Sequence, residues 1–309
     1  MINKNSKIFV AGHNGLVGSA IVRKLKEKGF RNILTISRSK LDLTNEQKVF
    51  NFLRKKKPKF IFIAAAKVGG IYSNNKYRAE FIYSNLSIQN NIIHSAFRCK
   101  IKDLIFLGSS CVYPRNCKQP MKEKYLLSGK LEETNDAYAI AKIAGIHMCA
   151  NYSKSYKLNY KSLMPPNMYG PGDNYNSQNS HFFPALIKKI TIAKRKNKKH
   201  IVLWGTGNAK RELMFVEDFA DALIYFMDKR VKEPFLNIGT GKSYSIQWFA
   251  KFLMKKIGVK LKIRYDKKKP DGMPKKCLDI SLARKYGWSP KSDFDKGFYI
   301  TFKDFQKNN

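Results

Sequence analysis

The passage from Lys7 to Gly18 constrains this chain more than any other. Lys7-Ile8-Phe9-Val10-Ala11 is a short apolar run, Gly12-His13-Asn14-Gly15-Leu16-Val17-Gly18 follows at once, and Ala20-Ile21-Val22 with Leu25 then recur at helical spacing. A buried strand that turns through glycines into a helix is the opening of a βαβ unit. Glycine permits the tight turn and lets backbone N–H groups approach a diphosphate at the positive end of the helix. The spacing is G-x-x-G-x-x-G, and its context makes Gly12, His13, Asn14, Gly15, Leu16, Val17 and Gly18 the first candidate contacts to a dinucleotide.

The same alternation continues. Apolar runs at Asn32–Ser37, Phe60–Ala65, Leu104–Gly108 and Tyr160–Met164 predict strands, and Glu46–Lys56, Ala79–Arg98 and Tyr138–Tyr156 predict helices between them. Continuously apolar strands separated by helices imply a parallel sheet covered on both faces. The expected fold is therefore α/β, a doubly wound Rossmann sheet whose ligands lie at the carboxyl ends of its strands. After Pro165-Pro166-Asn167 the texture changes to turn chemistry at Gly170-Pro171-Gly172-Asp173-Asn174. Further on come a helix from Pro184, a strand Ile201–Trp204, a segment Arg211–Phe215, a helix Val216–Asp228, a strand Phe235–Ile238, a helix Ile246–Ile257 and a strand Leu261–Tyr265. This organisation predicts a cofactor-binding domain over 1–165, its sheet completed by 216–240, and a smaller α/β domain mainly over 166–309 that roofs the cleft for substrate.

Composition narrows the function. Of 309 residues, 60 are Lys or Arg and 22 Asp or Glu, a net charge of +38, while 43% are hydrophobic, enough for a packed core. The lysine clusters Lys55-Lys56-Lys57, Lys194-Arg195-Lys196 and Lys267-Lys268-Lys269 are scattered from end to end and form no stripe interleaved with aromatics. They read as a solvated surface that attracts small anions, with no nucleic-acid partner expected. No apolar run approaches the ~20 residues that span a bilayer, and Gly12 interrupts the N-terminal run before a secretory h-region develops. Neither a membrane partner nor secretion is expected. Cys99, Cys111, Cys117, Cys149 and Cys277 are odd in number and hold no C-x-x-C pair, which speaks against disulfides and a metal site and for a reduced cytoplasm.

Two further patterns carry chemistry. At the end of the second predicted strand, Arg38-Ser39-Lys40-Leu41-Asp42-Leu43 offers a basic pair suited to a ribose 2′-phosphate, so NADP(H) is the expected cofactor, with Asp42 as the acidic alternative nearby. Tyr138 and Lys142 stand four apart on one helix face, and Ser109 ends the fourth strand. An ammonium beside a phenol, with the cofactor's positive charge nearby, is expected to favour the phenolate and lower an otherwise high pKa, so that Tyr138 can give a proton to a carbonyl oxygen while Ser109 adds a hydrogen bond.

These residues resemble the extended short-chain dehydrogenase/reductase family, and within it the 3,5-epimerase-4-reductases of GDP-4-keto-6-deoxy-D-mannose, the GDP-L-fucose synthases. The resemblance rests on Ala64-Ala65-Ala66-Lys67-Val68-Gly69-Gly70-Ile71, Leu107-Gly108-Ser109-Ser110-Cys111-Val112-Tyr113-Pro114, Tyr138-Ala139-Ile140-Ala141-Lys142-Ile143-Ala144-Gly145, Asn179-Ser180-His181 and Lys269-Pro270-Asp271-Gly272. It implies that Cys111 and His181 serve as acid and base, and that Leu107, Gly108, Ser109, Ser110, Lys142, Pro165, Pro166, Asn167, Met168 and His181 line the cofactor. It also implies that Lys189, Trp204, Arg211 and Asp271 meet the GDP-sugar, and that the enzyme is a homodimer. Asn14, Lys189 and Pro166 stand where the family pattern expects arginine, arginine and threonine. Two alternatives stay open at this point: another nucleotide-sugar epimerase or dehydratase, and a non-catalytic NADP-sensing or nucleic-acid-binding relative.

Overall fold

The apolar runs form the sheet that the pattern requires. In the computed structural model, which describes residues 2–176, 180–269 and 271–308, the first half runs β1 (Ile8–Ala11), α1 (Leu16–Glu27), β2 (Ile33–Leu34), α2 (Glu46–Lys56), β3 (Phe60–Ile63), α3 (Ile71–Lys76), α4 (Arg78–Arg98), β4 (Asp103–Leu107), α5 (Asp136–Tyr156) and β5 (Asn159–Met164). The second half adds β6 (Asn167–Tyr169), α6 (Phe182–Arg195), β7 (His200–Trp204), β8 (Lys210–Arg211), β9 (Leu213–Phe215), α7 (Val216–Met227), β10 (Phe235–Asn237), β11 (Tyr244–Ser245), α8 (Ile246–Ile257), β12 (Lys262–Asp266), β13 (Lys275–Lys276), α9 (Ser281–Lys285) and α10 (Phe294–Asn308).

Six strands make the central sheet in the order β10-β5-β4-β3-β1-β2, and every pairing is parallel. All four residues of β1 and of β3 are buried, which is why their sequences show no polar alternation. Alternate side chains enter two cores. Ile8, Val10, Phe60, Phe62 and Ile105 pack with residues of α1 and α7, while Phe9, Ile61, Ile63, Leu104 and Phe106 pack with residues of α2, α4 and α5. Each such side chain contributes roughly 1.5–3 kcal/mol on burial. The second strand is shorter than the run Asn32–Ser37 suggests, because β2 lies at the sheet edge and only Ile33 and Leu34 find partners, on β1.

Since β1 lies between β2 and β3, the chain reverses its direction across the sheet there and opens a crevice at the carboxyl ends of β1 and β3. Gly12 sits at that reversal with φ +87°, and a Cβ on it would lie 2.5 Å from the Ala65 nitrogen beyond β3. Gly18, in the first turns of α1, passes so close to Gly12 that a Cβ would lie 2.1 Å from the Gly12 carbonyl oxygen. The glycine spacing thus brings strand end, helix start and the neighbouring strand end together.

Beyond residue 165 a second unit gathers around an aromatic core of Tyr169, Phe183, Phe215, Phe249, Phe298 and Phe305, supported by α6, α8 and α10. Its pieces are the parallel pair β7–β12, the pair β6–β9 and the three-stranded β11-β8-β13. The Arg211–Phe215 segment is split: Arg211 belongs to β8, Leu213–Phe215 to β9, and the buried Glu212 lies between them.

The two glycines of the α1 entrance separate packing from ligand approach. Gly18→Ala should lower stability by about 1–3 kcal/mol, the usual cost of overpacking against unyielding backbone. Gly15→Ala should stay within about 0.5 kcal/mol of wild type, because a Cβ there meets only the Gly12 oxygen, at 3.5 Å. Urea unfolding of both variants checks this contrast, and equal midpoints would contradict it.

Candidate active site

The site is built where β4 runs out. Past Leu107 the strand remains zipped to the β5 side, with Gly108 N donating to the Leu163 carbonyl at 3.0 Å and Ser110 N to the Pro165 carbonyl at 3.1 Å. Ser109 is extended (φ −160°, ψ 145°) and caps a single 3-10 turn, Ser110–Val112, its hydroxyl accepting from Cys111 N at 3.3 Å. This tight turn delivers Ser109 and Cys111 at the strand end.

Helix α5 supplies the partners. Lys142 Nζ donates to the Leu107 carbonyl at 2.7 Å and lies 4.5 Å from the centroid of the Phe106 ring and 5.7 Å from that of Tyr138. The buried Gln89 of α4 donates to the Ala141 carbonyl at 2.7 Å and fixes α5 along its length. The Tyr138 phenol and the Ser109 hydroxyl are hydrogen-bonded. Ser109, Tyr138 and Lys142 therefore converge at one place. The protein groups alone push the phenol the other way. Burial pushes the Tyr138 pKa well up, Cys111 adds to the rise, and only the Ser109 hydrogen bond opposes it. The ammonium that was expected to help is committed to a carbonyl, and burial lowers Lys142 to about 7. Tyr138 is held as a protonated phenol, suited to donate.

Cys111 is the most connected group of the site. Its sulfur accepts from Asn135 Nδ2 at 3.4 Å and from Lys276 Nζ at 3.6 Å, and it interacts electrostatically with both Tyr138 and Arg211. His181 begins α6 at its N-cap position. Although the residue is exposed at the cleft, its pKa is lowered, first by the desolvating crowd of protein around the ring and then by the positive charge of Lys276. Asn179 and Pro270, both within the motifs above, lie outside the described residues.

The expected cofactor contacts divide by position. Gly15 offers no side-chain cap to α1, and no acidic residue stands in its first turn, so the helix-start N–H groups face outward without a carboxylate competitor. Leu16 and Val17 are half-buried against the core, and His13 and Asn14 lie on the turn before them. Arg38, Ser39 and Lys40 are exposed after β2, held there by the buried Leu41 and the half-buried Leu43. Asp42 is occupied locally: its carboxylate accepts from Thr44 N at 3.0 Å and Thr44 Oγ1 at 2.8 Å, which, with Arg38 and Lys48 nearby, keeps its pKa low. Pro165 and Pro166 are buried at the end of β5, and Asn167 and Met168 are half-buried on β6.

In the second unit, Lys189 Nζ donates to the Val202 carbonyl on β7 at 2.7 Å, and burial lowers its pKa. Trp204 is 56% exposed at the end of that strand, which rules out a core role, and Lys269 Nζ stands 5.6 Å from its ring centroid. The Asp271 carboxylate accepts from Thr206 N and Thr206 Oγ1, each at 2.8 Å. Arg211 donates to the Met273 carbonyl at 2.6 Å and the Asp271 carbonyl at 3.1 Å. Trp204, Arg211 and Asp271 are thereby tied through one loop, with Lys189 on the adjoining helix.

Sequence reasoning missed Asn135, Lys276 and Glu212. Asn135 precedes a helix and reads as an ordinary cap, yet its side chain makes no capping bond to α5 and goes to Cys111 instead. Lys276 is one lysine of a very basic chain. Glu212 accepts from Leu278 N at 2.6 Å, Gly241 N at 2.8 Å and Thr240 N at 2.5 Å, and so locks the backbone beside Lys276.

Comparison with known proteins places this geometry in context. Residues 8–239 match the model of the NAD dependent epimerase/dehydratase family. The chain is 46% identical over 308 residues to GDP-L-fucose synthase 1 of Arabidopsis thaliana, covering 100% of this chain and 95% of that protein. It is 42% identical over 311 residues to the GDP-L-fucose synthase of Escherichia coli strain K12, covering 98% and 97%. Among solved structures, a GDP-mannoheptose C4 reductase from Campylobacter jejuni with NADP bound superposes with a TM-score of 0.90 at 34% identity, covering 99% of this chain and 100% of that one.

The perturbed Lys142 gives a sharp test of the site's electrostatics. A lysine at about 7 in the fold and near its ordinary 10.5 when unfolded binds fewer protons in the native state between those values, so stability rises with pH across that window. Relative to Lys142→Met, wild type should gain on the order of a few kcal/mol between pH 7 and pH 10. Urea titrations of both proteins at stepped pH measure the difference, and parallel curves would contradict the assignment.

Proposed function

Because the chain belongs to the NAD dependent epimerase/dehydratase family, we propose that its strand-end centre works as a GDP-L-fucose synthase site, in which Ser109, Cys111, Tyr138, Lys142 and His181 epimerise GDP-4-keto-6-deoxy-D-mannose at C3 and C5 and assist its reduction at C4 to GDP-L-fucose. The activity is that of an NADP-dependent epimerase and reductase, in line with full-length relatives of that name at 42–46% identity. The observation that carries the residue assignment is the turn that sets Cys111 beside Ser109 and against the Tyr138 phenol of α5.

A ketone at C4 makes the protons on C3 and C5 removable, provided the enolate oxygen is stabilised. The Ser109 hydroxyl and the protonated Tyr138 phenol are the donors for that oxygen, and one such donor is worth about 10²–10³ in rate. Inversion at carbon needs proton removal on one face and delivery on the other, so two groups are required, and Cys111 and His181 take those parts. NADPH, when bound, supplies the hydride for C4. Tyr138 then gives its proton to O4, and Lys142 fixes the phenol through its bond to the β4 end. The residues present fit the cofactor: Gly12–Gly18 and the uncapped start of α1 for the diphosphate, Arg38 and Lys40 for the 2′-phosphate, Asp42 being occupied by Thr44. Leu107–Ser110 and Pro165–Met168 would flank its reactive end.

On this basis residues 1–165 with 216–240 hold the cofactor, and 166–309 mainly hold the GDP-sugar. Lys189 and Arg211 suit its diphosphate, and the exposed Trp204 offers a ring for stacking. We further infer a homodimer, since α4 and α5 leave Tyr83, Ile140 and Tyr156 exposed. A cytoplasmic location is supported by five free cysteines. Among the described residues no helix is long and apolar enough to cross a membrane.

The decisive assay supplies GDP-4-keto-6-deoxy-D-mannose and NADPH in deuterated water. Wild type should oxidise NADPH and return product carrying deuterium at both C3 and C5. Cys111→Ala and His181→Ala should each cut that exchange by about 10²–10⁴, the scale of a positioned acid or base. Product without solvent deuterium would refute epimerisation, and full exchange in both variants would remove these two residues from it.

A further inference from the structure

The acid–base sulfur has a cationic neighbour to which the chemistry above gives no role. Lys276 Nζ lies 3.6 Å from Cys111 Sγ, and among the described residues no carboxylate forms an ion pair with it. Its backbone is held on every side. Lys276 pairs with Arg211 across β13 and β8, its carbonyl accepts from Glu212 N at 3.0 Å, and Cys277 N donates to Gln119 Oε1 at 3.0 Å. The next amide, Leu278 N, donates to the buried Glu212 carboxylate at 2.6 Å. A lysine delivered by so fixed a backbone, half-buried and with its ammonium on a sulfur, is placed there by the fold.

The sulfur's second polar partner is Asn135. Its amide donates to Sγ at 3.4 Å, so both polar neighbours present N–H groups and the sulfur accepts from each. The charged and titratable groups facing Cys111 are therefore Lys276 from β13, Arg211 from β8 and the Tyr138 phenol from α5. Two of the three are cations, and the Lys276 ammonium donates directly to the sulfur. The same ammonium acts on His181, where it opposes a second positive charge.

Resting on the assignment of Cys111 and His181 as the acid–base pair, we propose that Lys276 is a positioning residue for Cys111, its ammonium donating to Sγ and fixing the sulfur where it exchanges protons with the substrate carbon. Lys276 touches the sulfur and not the reacting carbon. It sets where the sulfur stands relative to that carbon. Substitution should therefore depress proton exchange at C3 and C5 far more than cofactor binding, whose phosphate contacts are assigned to Gly12–Gly18 and to Arg38 and Lys40.

The test uses full-length Lys276→Met, Lys276→Gln, Lys276→Arg and Cys111→Ala. Two quantities are read: the rate of carbamidomethylation of Cys111 by iodoacetamide at neutral pH, followed at the Cys111 peptide by mass spectrometry, and solvent deuterium exchange into the keto sugar. K276M and K276Q should slow both by about tenfold or more, a fraction of what a positioned acid–base group contributes. NADPH affinity should be unchanged. K276R, which keeps the charge, should recover most of both rates. A wild-type alkylation rate in K276M and K276Q would overturn the proposal, as would K276R no better than K276M, since shape and not charge would then matter. Exchange lost in Cys111→Ala but intact in K276M overturns the role of Lys276 alone. Full exchange in Cys111→Ala overturns the acid–base pair itself.

Discussion

The bond from Lys142 Nζ to the Leu107 carbonyl, 2.7 Å long and fully inside the protein, joins the last residue of β4 to the second turn of α5. Ser109 and Cys111 lie just past one end of that bond, and Tyr138 lies one helical turn before the other. A bond between an ammonium and a neutral carbonyl in a buried setting does not compensate the ammonium's lost hydration, and the lysine's proton affinity falls accordingly. The same burial raises the phenol of Tyr138. Desolvation therefore acts on both partners in opposite senses and leaves an acid that keeps its proton until an oxyanion develops beside it.

That arrangement explains how one centre can serve two kinds of chemistry. Enolisation at C3 or C5 and reduction at C4 both place negative charge on the same carbonyl oxygen, so the same two hydroxyl donors assist each step. The groups that differ are those for carbon, and they come from different elements: Cys111 from the turn after β4, His181 from the start of α6. On the proposed assignment the second unit contributes an acid–base group as well as substrate contacts, and Lys276 on β13 reaches the sulfur from that unit.

Much of this was legible in the sequence because the relevant signals are local. Strand runs such as Phe60–Ile63, the glycine turn and the Tyr138–Lys142 spacing are each fixed within a few residues, and the doubly wound sheet follows from their alternation. What the pattern could not show depends on contacts between distant segments. Two-residue strands such as Lys275–Lys276 have no periodicity to detect, and they form here because β8 offers an edge. Asn135 and Lys276 reach Cys111 from 24 and 165 residues away. The surroundings of the Tyr138–Lys142 pair were out of reach for a related reason. Sequence spacing brings a lysine near a phenol but does not reveal that the lysine is buried and the phenol half-buried.

A shared oxyanion site makes a demand that separate sites would not. In Tyr138→Phe, solvent exchange at C3 and C5 and hydride transfer to C4 should fall together, each by roughly 10²–10³, while NADPH still binds. Single-turnover rates for both processes, measured on the same preparation of GDP-4-keto-6-deoxy-D-mannose, test this directly. Exchange continuing at the wild-type rate while hydride transfer collapses would contradict a common centre and assign the two reactions to different donors.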